Sequence, residues 1–125
     1  MKKYTWHPDE MVLLLDIFFS YLDEIKLGNS NDKLDIELNK LSELLRLLNI
    51  HSNNFNENPS YRNLNGMKMM IQNLRYIYYM ESGIYPYKGL SQYPRYFIGY
   101  FRKYYCNNKL LIHDLEIVKQ KYSMK

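Results

Sequence analysis

The segment Asp35–Leu48, DIELNKLSELLRLL, carries leucine at 38, 41, 44, 45, 47 and 48, and no other stretch constrains the fold as strongly. Leu38, Leu41, Leu45 and Leu48 recur at three- to four-residue spacing, so they share one face of a helix, with Glu37, Lys40 and Glu43 elsewhere. Leu44 and Leu47 broaden that stripe. A face this wide is expected to lie between other helices rather than at an edge. Alanine is absent from the chain, so Leu, Ile and the 14 tyrosines must fill the interior.

The flanking segments read the same way. A first helix is expected to start near Pro8, where a proline needs no amide partner and Asp9 and Glu10 suit the positive N-terminal end. Its buried stripe is Met11, Leu14, Leu15, Phe18 and Leu22, and Trp6 can pack back on its first turn. Gly28-Asn29-Ser30-Asn31 ends the pattern, and the leucine helix follows from about Asp35 to Leu48. Asn49–Asn63 is a polar loop. Asn63 is placed to cap a third helix that turns Met67, Met70, Ile71 and Leu74 inward. Gly83, Pro86 and Gly89 mark a connection, a fourth helix over about Gln92–Tyr105 buries Phe97 and Phe101, and Asn107-Asn108 breaks it. A fifth helix over about Lys109–Tyr122 turns Leu111, Leu115 and Val118 inward, with Ile112 flanking. No segment alternates with period two. The expectation is an all-α, compact bundle of about five helices in a single domain, 1–125.

The charge is divided unevenly along the chain. The total is +4, yet residues 1–60 hold six basic against ten acidic side chains, a net of −4, whereas residues 61–125 hold eleven against three, a net of +8. Such asymmetry points to a polyanion partner, and a merely solvated basic surface is the bland alternative. Cys106 is the single cysteine, which excludes an intrachain disulfide and a cysteine-rich zinc site and makes a reducing cytoplasmic setting the expectation. The run Met11–Leu15 is far short of the ~20 apolar residues that span a bilayer, and no signal peptide or anchor is expected.

A leucine-rich helix, a connection and a helix exposing cations and amides is the order found in a helix-turn-helix pair, here expected for helices 2 and 3 joined by a long loop. Lys68, Gln72 and Arg75 lie at i, i+4 and i+7 on one face, with Arg62 and Asn65 at its N-terminal end. Arg and Lys suit phosphate or guanine, and Asn and Gln suit adenine. The expected DNA contacts are therefore Arg62, Asn65, Lys68, Gln72 and Arg75, with Lys88, Arg95, Arg102 and Lys103 at phosphates. Ten tyrosines lie between Tyr76 and Tyr105. Most are expected to fill a core without alanine, whereas Tyr85 and Tyr87, in a connection, are candidates for stacking on bases.

Four motifs in order carry a family resemblance over about residues 4–105. Trp6-His7-Pro8-Asp9-Glu10 with Leu14-Leu15-Asp16 and Phe19 resembles W-(T/S)-x-x-E…L-x-L-D-x-Y. Leu41-Ser42-Glu43-Leu44-Leu45-Arg46 resembles L-S-x-L-L-R. Tyr61-Arg62-Asn63-Leu64-Asn65-Gly66 with Met69, Asn73 and Leu74 resembles F-R-N-P-N-G-V-x-M-K-x-x-N-F, and Lys88-Gly89-Leu90-Ser91 resembles K-G-L-S. The series is similar to the N-terminal, non-catalytic region of bacterial HNH endonucleases that resemble 5-methylcytosine-specific restriction enzyme A. The chain departs from it at His7 and Leu64. The resemblance implies a target-recognition domain for double-stranded DNA, plain or base-modified, related to a restriction nuclease or partnered with its nuclease domain.

HNH chemistry needs a cluster of His with Asn or Asp holding a metal, and His7, His51 and His113 are scattered. No catalytic residue, metal site or cofactor is expected. Two other classes remain open: a mobile-element or phage protein that binds and inhibits a host defence protein, which requires an exposed apolar or tyrosine-rich patch, and a small transcriptional regulator, which requires a symmetric dimer.

Overall fold

The computed structural model describes residues 6–27, 32–48, 62–83 and 95–123. Among them the chain forms six helices and no strand: α1 (Pro8–Ser20), α2 (Leu22–Leu27), α3 (Asp32–Leu48), α4 (Leu64–Ser82), α5 (Tyr96–Tyr104) and α6 (Asn108–Lys121). The architecture is all-α. None of these helices is long and apolar enough to cross a membrane. The greater part of the expected loop, residues 49–61, and of the connection over 84–94 lies outside the described residues.

The first expected helix is two. The Ser20 hydroxyl donates to the Asp16 carbonyl at 2.7 Å, the back-bonding that bends a helix. Tyr21 leaves helical geometry at φ −112°, ψ 21°, and α2 resumes beyond it. Its Ile25 is buried in the common core.

The helix buried on nearly every side is α1, not the leucine helix. Glu10, Met11, Val12, Leu13, Leu14, Leu15 and Phe18 are all buried, and α1 packs against α2, α3, α5 and α6. The single stripe expected for it was too narrow, because Val12 and Leu13 also face neighbours. The stripe expected for α3 was too broad. Leu34, Leu38, Leu41 and Leu45 are buried, but Leu47 is 81% exposed. With α1 and α4 as its main neighbours, α3 leaves the far side of its last turn to solvent.

Large side chains close the interior, as a sequence without alanine requires. Phe18, Phe97 and Phe101 are fully buried. Tyr105 stacks on Phe101 with ring centroids 4.9 Å apart and meets Phe19 and Tyr78 at 6.1 and 5.9 Å, linking α1, α4 and the end of α5. The Tyr79 hydroxyl donates to the Lys26 carbonyl and ties α4 to α2. Of the ten tyrosines between 76 and 105, Tyr78 and Tyr104 are buried and Tyr76, Tyr79, Tyr96, Tyr100 and Tyr105 partly so.

α6 runs antiparallel to α1. At one end Val12 and Val118 share a cleft, and Lys121 Nζ and the Tyr122 hydroxyl donate to Asp9 Oδ2 at 2.8 and 2.7 Å; at the other, Phe19 and Leu22 line a second cleft with Leu111. Burial pushes the Asp9 carboxyl up, but the hydrogen bonds from Lys121 and Tyr122 and the Lys121 charge outweigh it, so its pKa lies below the ordinary 3.8. A carboxyl held down in the fold stabilises the fold above its unfolded value, and that contribution disappears as pH falls through the folded one. The gap in melting temperature between the wild type and Asp9→Asn, read by circular dichroism, is expected to be full near pH 7 and to close below pH 3.8. A gap that does not change with pH would mean that Asp9 ionisation is not linked to folding.

Candidate nucleic-acid interface

The position of α4 is fixed by a buried polar node at its N-terminus. Glu10, 0% exposed, receives Arg62 through two bonds of 2.9 Å, Nε to Oε2 and Nη2 to Oε1. The guanidinium also lies 4.3 Å from the centre of the Trp6 ring, and Trp6 itself is held by an N–H donated to the Tyr96 hydroxyl at 2.9 Å. Arg62 adopts φ 51°, a left-handed conformation that costs a non-glycine residue about 1–2 kcal/mol. The Ser42 hydroxyl, buried in α3, donates to its carbonyl at 2.6 Å and holds it there. The next residue, Asn63, accepts from the Gly66 amide at 2.8 Å and caps α4. A Cβ at Gly66 would stand 3.2 Å from the capping oxygen.

α1 is capped from the same node. His7 Nδ1 accepts from the Asp9 amide at 3.1 Å, while Glu10 Oε1 accepts from the His7 amide at 2.9 Å, closing a capping box. The imidazole nitrogen thus does the work of the hydroxyl that threonine or serine would supply. Trp6, Glu10, Ser42, Arg62, Asn63 and Gly66, drawn from three separate motifs of the sequence, meet at this one place.

Arg62 must therefore be removed from the expected DNA contacts. Its side chain is 8% exposed and is neutralised by Glu10, so its charge is committed inside the protein. The other α4 candidates do share an outer face. Asn65 and Gln72 are exposed, and the Lys68 side chain is 47% exposed with Nζ 3.7 Å from Asp35 Oδ2 of α3. Arg75 is partly buried; its guanidinium lies 5.6 Å from the Tyr79 ring and Nη1 donates to Gln72 Oε1 at 3.5 Å. From Leu64 to Met80 the helix carries no acidic residue. It ends at Gly83, whose φ of 69° is the left-handed cap that glycine adopts freely.

α3 and α4 adjoin, as the helix-turn-helix order leads one to expect, but they run antiparallel. Stepping back along α3 from Ser42 to Asp35 corresponds to stepping forward from Arg62 to Lys68. The likeness to a helix-turn-helix is confined to order and adjacency.

The remaining candidates are dispersed. Arg95 is exposed just before α5. Arg102 donates from Nε to Glu81 Oε1 at 2.6 Å, near the far end of α4. Lys103 lies 3.8 Å from Asp114 Oδ2, beside a cleft formed with Pro8, Asp9, Val12 and Val118. There the Tyr104 hydroxyl, pushed far up by burial and by its 2.6 Å bond to Asp114, stays protonated. Lys103 thus belongs to the α1–α5–α6 side, not to the α4 face. Tyr85, Tyr87 and Lys88 lie outside the described residues. Among the described residues no group of three or more His, Cys, Asp and Glu is placed to hold a metal ion.

No family model, characterised protein or solved structure matches the chain.

Breaking a buried ion pair strands a charge and costs about 3–5 kcal/mol. Glu10→Ala and Arg62→Ala are each expected to lower the urea-unfolding free energy by about that much. Arg62→Lys loses the two-point bond and the ring contact and should also be clearly destabilised. The double change Glu10→Ala with Arg62→Ala is expected to cost less than the sum of the single changes. Additive losses would show that the two side chains are not coupled.

Proposed function

We propose that this chain is a DNA-binding domain that recognises its target through the outer face of α4, related to the non-catalytic region of HNH restriction endonucleases and contributing recognition rather than hydrolysis. The observation that carries this reading is the acid-free stretch Leu64–Met80 of α4, with Asn65, Lys68 and Gln72 exposed and Arg75 beside them. From Lys68 to Arg75 is seven residues, about 10 Å along the axis at ~1.5 Å per residue. A major groove ~12 Å wide accommodates a helix presenting such a row. The order of the four sequence motifs adds support of a different kind.

The ion pair between Lys68 and Asp35 does not forbid this use. Exposed pairs stabilise by about 0–1 kcal/mol, so a phosphate can replace Asp35 at little cost. Arg102, whose side chain is 67% exposed beside Glu81, is available on the same terms at the other end of α4. The alternative, a factor that docks on a protein through an apolar patch, gains no specific observation among the described residues, where the exposed large apolar side chains Leu27, Ile36, Leu47, Met69, Ile112 and Ile117 are distributed over four helices.

Gel-shift titration of plain and cytosine-methylated duplexes over a salt series tests the reading. Affinity is expected to fall steeply between about 50 and 200 mM salt, because binding releases counterions. Lys68→Ala should lower the logarithmic salt slope by about 1, and Arg75→Ala should weaken binding, whereas Asp35→Asn should tighten it up to about fivefold by freeing Lys68. Salt-independent binding, or equal affinity of the wild type and the alanine variants for every duplex, would sink the reading.

A further inference from the structure

Six large apolar side chains are exposed among the described residues, and their surroundings set one apart. Leu27 has Asp23 and Glu24 one helical turn before it, Ile36 has Asp32, Leu47 has Glu43, Ile112 has Glu116 one turn on, and Ile117 has Asp114. Each of these five has a carboxylate three or four residues away, where side chains on one helix face meet. Met69, 55% exposed, is the exception. Its neighbours at that spacing are Asn65, Gly66, Gln72 and Asn73, and Lys68 precedes it. The adjacent methionines do not share its exposure: Met67 is fully buried and Met70 partly so.

A phosphate-lined groove repels carboxylates, and Met69 is the one of the six with none at helix-turn spacing. On the outer face Met69 is flanked by the amides of Asn65 and Gln72 and by Lys68, whose Nζ lies 3.7 Å from Asp35 Oδ2. On the floor of the major groove the apolar feature is the C5-methyl of thymine, which protein side chains read by apolar contact. A thioether suits that contact, being flexible and polarizable.

We propose that Met69 is a specificity-determining residue that contacts the thymine C5-methyl group in a duplex seated on α4. This inference rests on the DNA-binding reading, and the contact adds base preference to what Lys68 and Arg75 supply as charge. Burying one methyl group corresponds to about a fourfold change in affinity.

The test measures fluorescence anisotropy of an A·T-rich duplex and of the same duplex with every thymine replaced by uracil, which lacks only that methyl. The wild type is expected to favour the thymine duplex about fourfold or more. Met69→Ala is expected to bind both duplexes with the affinity the wild type has for the uracil duplex, and Met69→Leu to keep the preference. Because the side chain is exposed, unchanged melting temperatures should accompany these changes. Equal wild-type affinity for the two duplexes with a steep salt dependence would overturn the Met69 contact and leave the DNA-binding reading standing. A thymine preference that survives in Met69→Ala would overturn it as well, by assigning discrimination to another group or to duplex shape. No salt-dependent binding to either duplex would overturn both proposals.

Discussion

The bond between Glu10 and Arg62 is the interaction on which the remainder of this structure depends. A carboxylate with no exposed surface is tolerable only when its oxygens are satisfied, and here both are: Oε2 by Arg62 Nε, Oε1 by Arg62 Nη2 and the His7 amide. Desolvation of two charges makes such a pair a weak source of net stability compared with an apolar substitute. Its effect is positional. It joins the first turn of α1 to the residue that precedes the α4 cap, 52 positions later, and Ser42 brings α3 into the same arrangement. Three helices thereby share one anchor.

That anchor also revises what net charge means for this chain. Eleven basic residues between 61 and 125 look like an uncovered cationic half, but the sequence cannot display partners 52 or 112 positions away. Arg62 is consumed by Glu10, and Lys121 is paired with Asp9 across the α1–α6 contact. Lys68, Arg102 and Lys103 each have an acid within 4 Å, although at exposed sites where such pairs are weak. The acidic first half therefore serves partly as internal counter-charge. What remains distinctive is not the total but its distribution along α4, where a single helix face lacks acids.

Much of the local structure was legible because its signals are local. Pro8 with two acids, the Asn63 cap and the Gly83 stop all act within one turn, and the α3 and α4 apolar spacings needed only helical periodicity. The illegible parts depend on distant contacts. Met11–Leu15 reads as one side of an amphipathic helix until α3, α5 and α6 are placed around it. The break at Tyr21 follows from a Ser20 hydroxyl bond to Asp16 that composition does not announce. Trp6 and Glu10 gave a usable signal, an aromatic and an acid four residues apart across a capped helix start. Recognising them as the receptor for Arg62 would have required pairing that signal with the arginine beside the Asn63 cap, since a guanidinium stacks on an aromatic face and meets a carboxylate at two points.

Register connects the node to the proposed interface. Each residue turns an α-helix by about 100°, so the assignment of inward and outward faces on α4 is decided by which residue is its cap. With Asn63 in that role, Met67, Ile71, Leu74 and Ile77 point into the core and Asn65, Lys68, Met69 and Gln72 point out. A cap displaced by one position would swing Lys68 toward the interior and Met67 toward water, losing apolar burial and stranding a cation together. Arg62 resists that slip because its carbonyl, its left-handed backbone and its guanidinium are each held, by Ser42, by its place beside the cap and by Glu10 with Trp6. The arginine that does not reach the surface is in this sense what decides which side chains do.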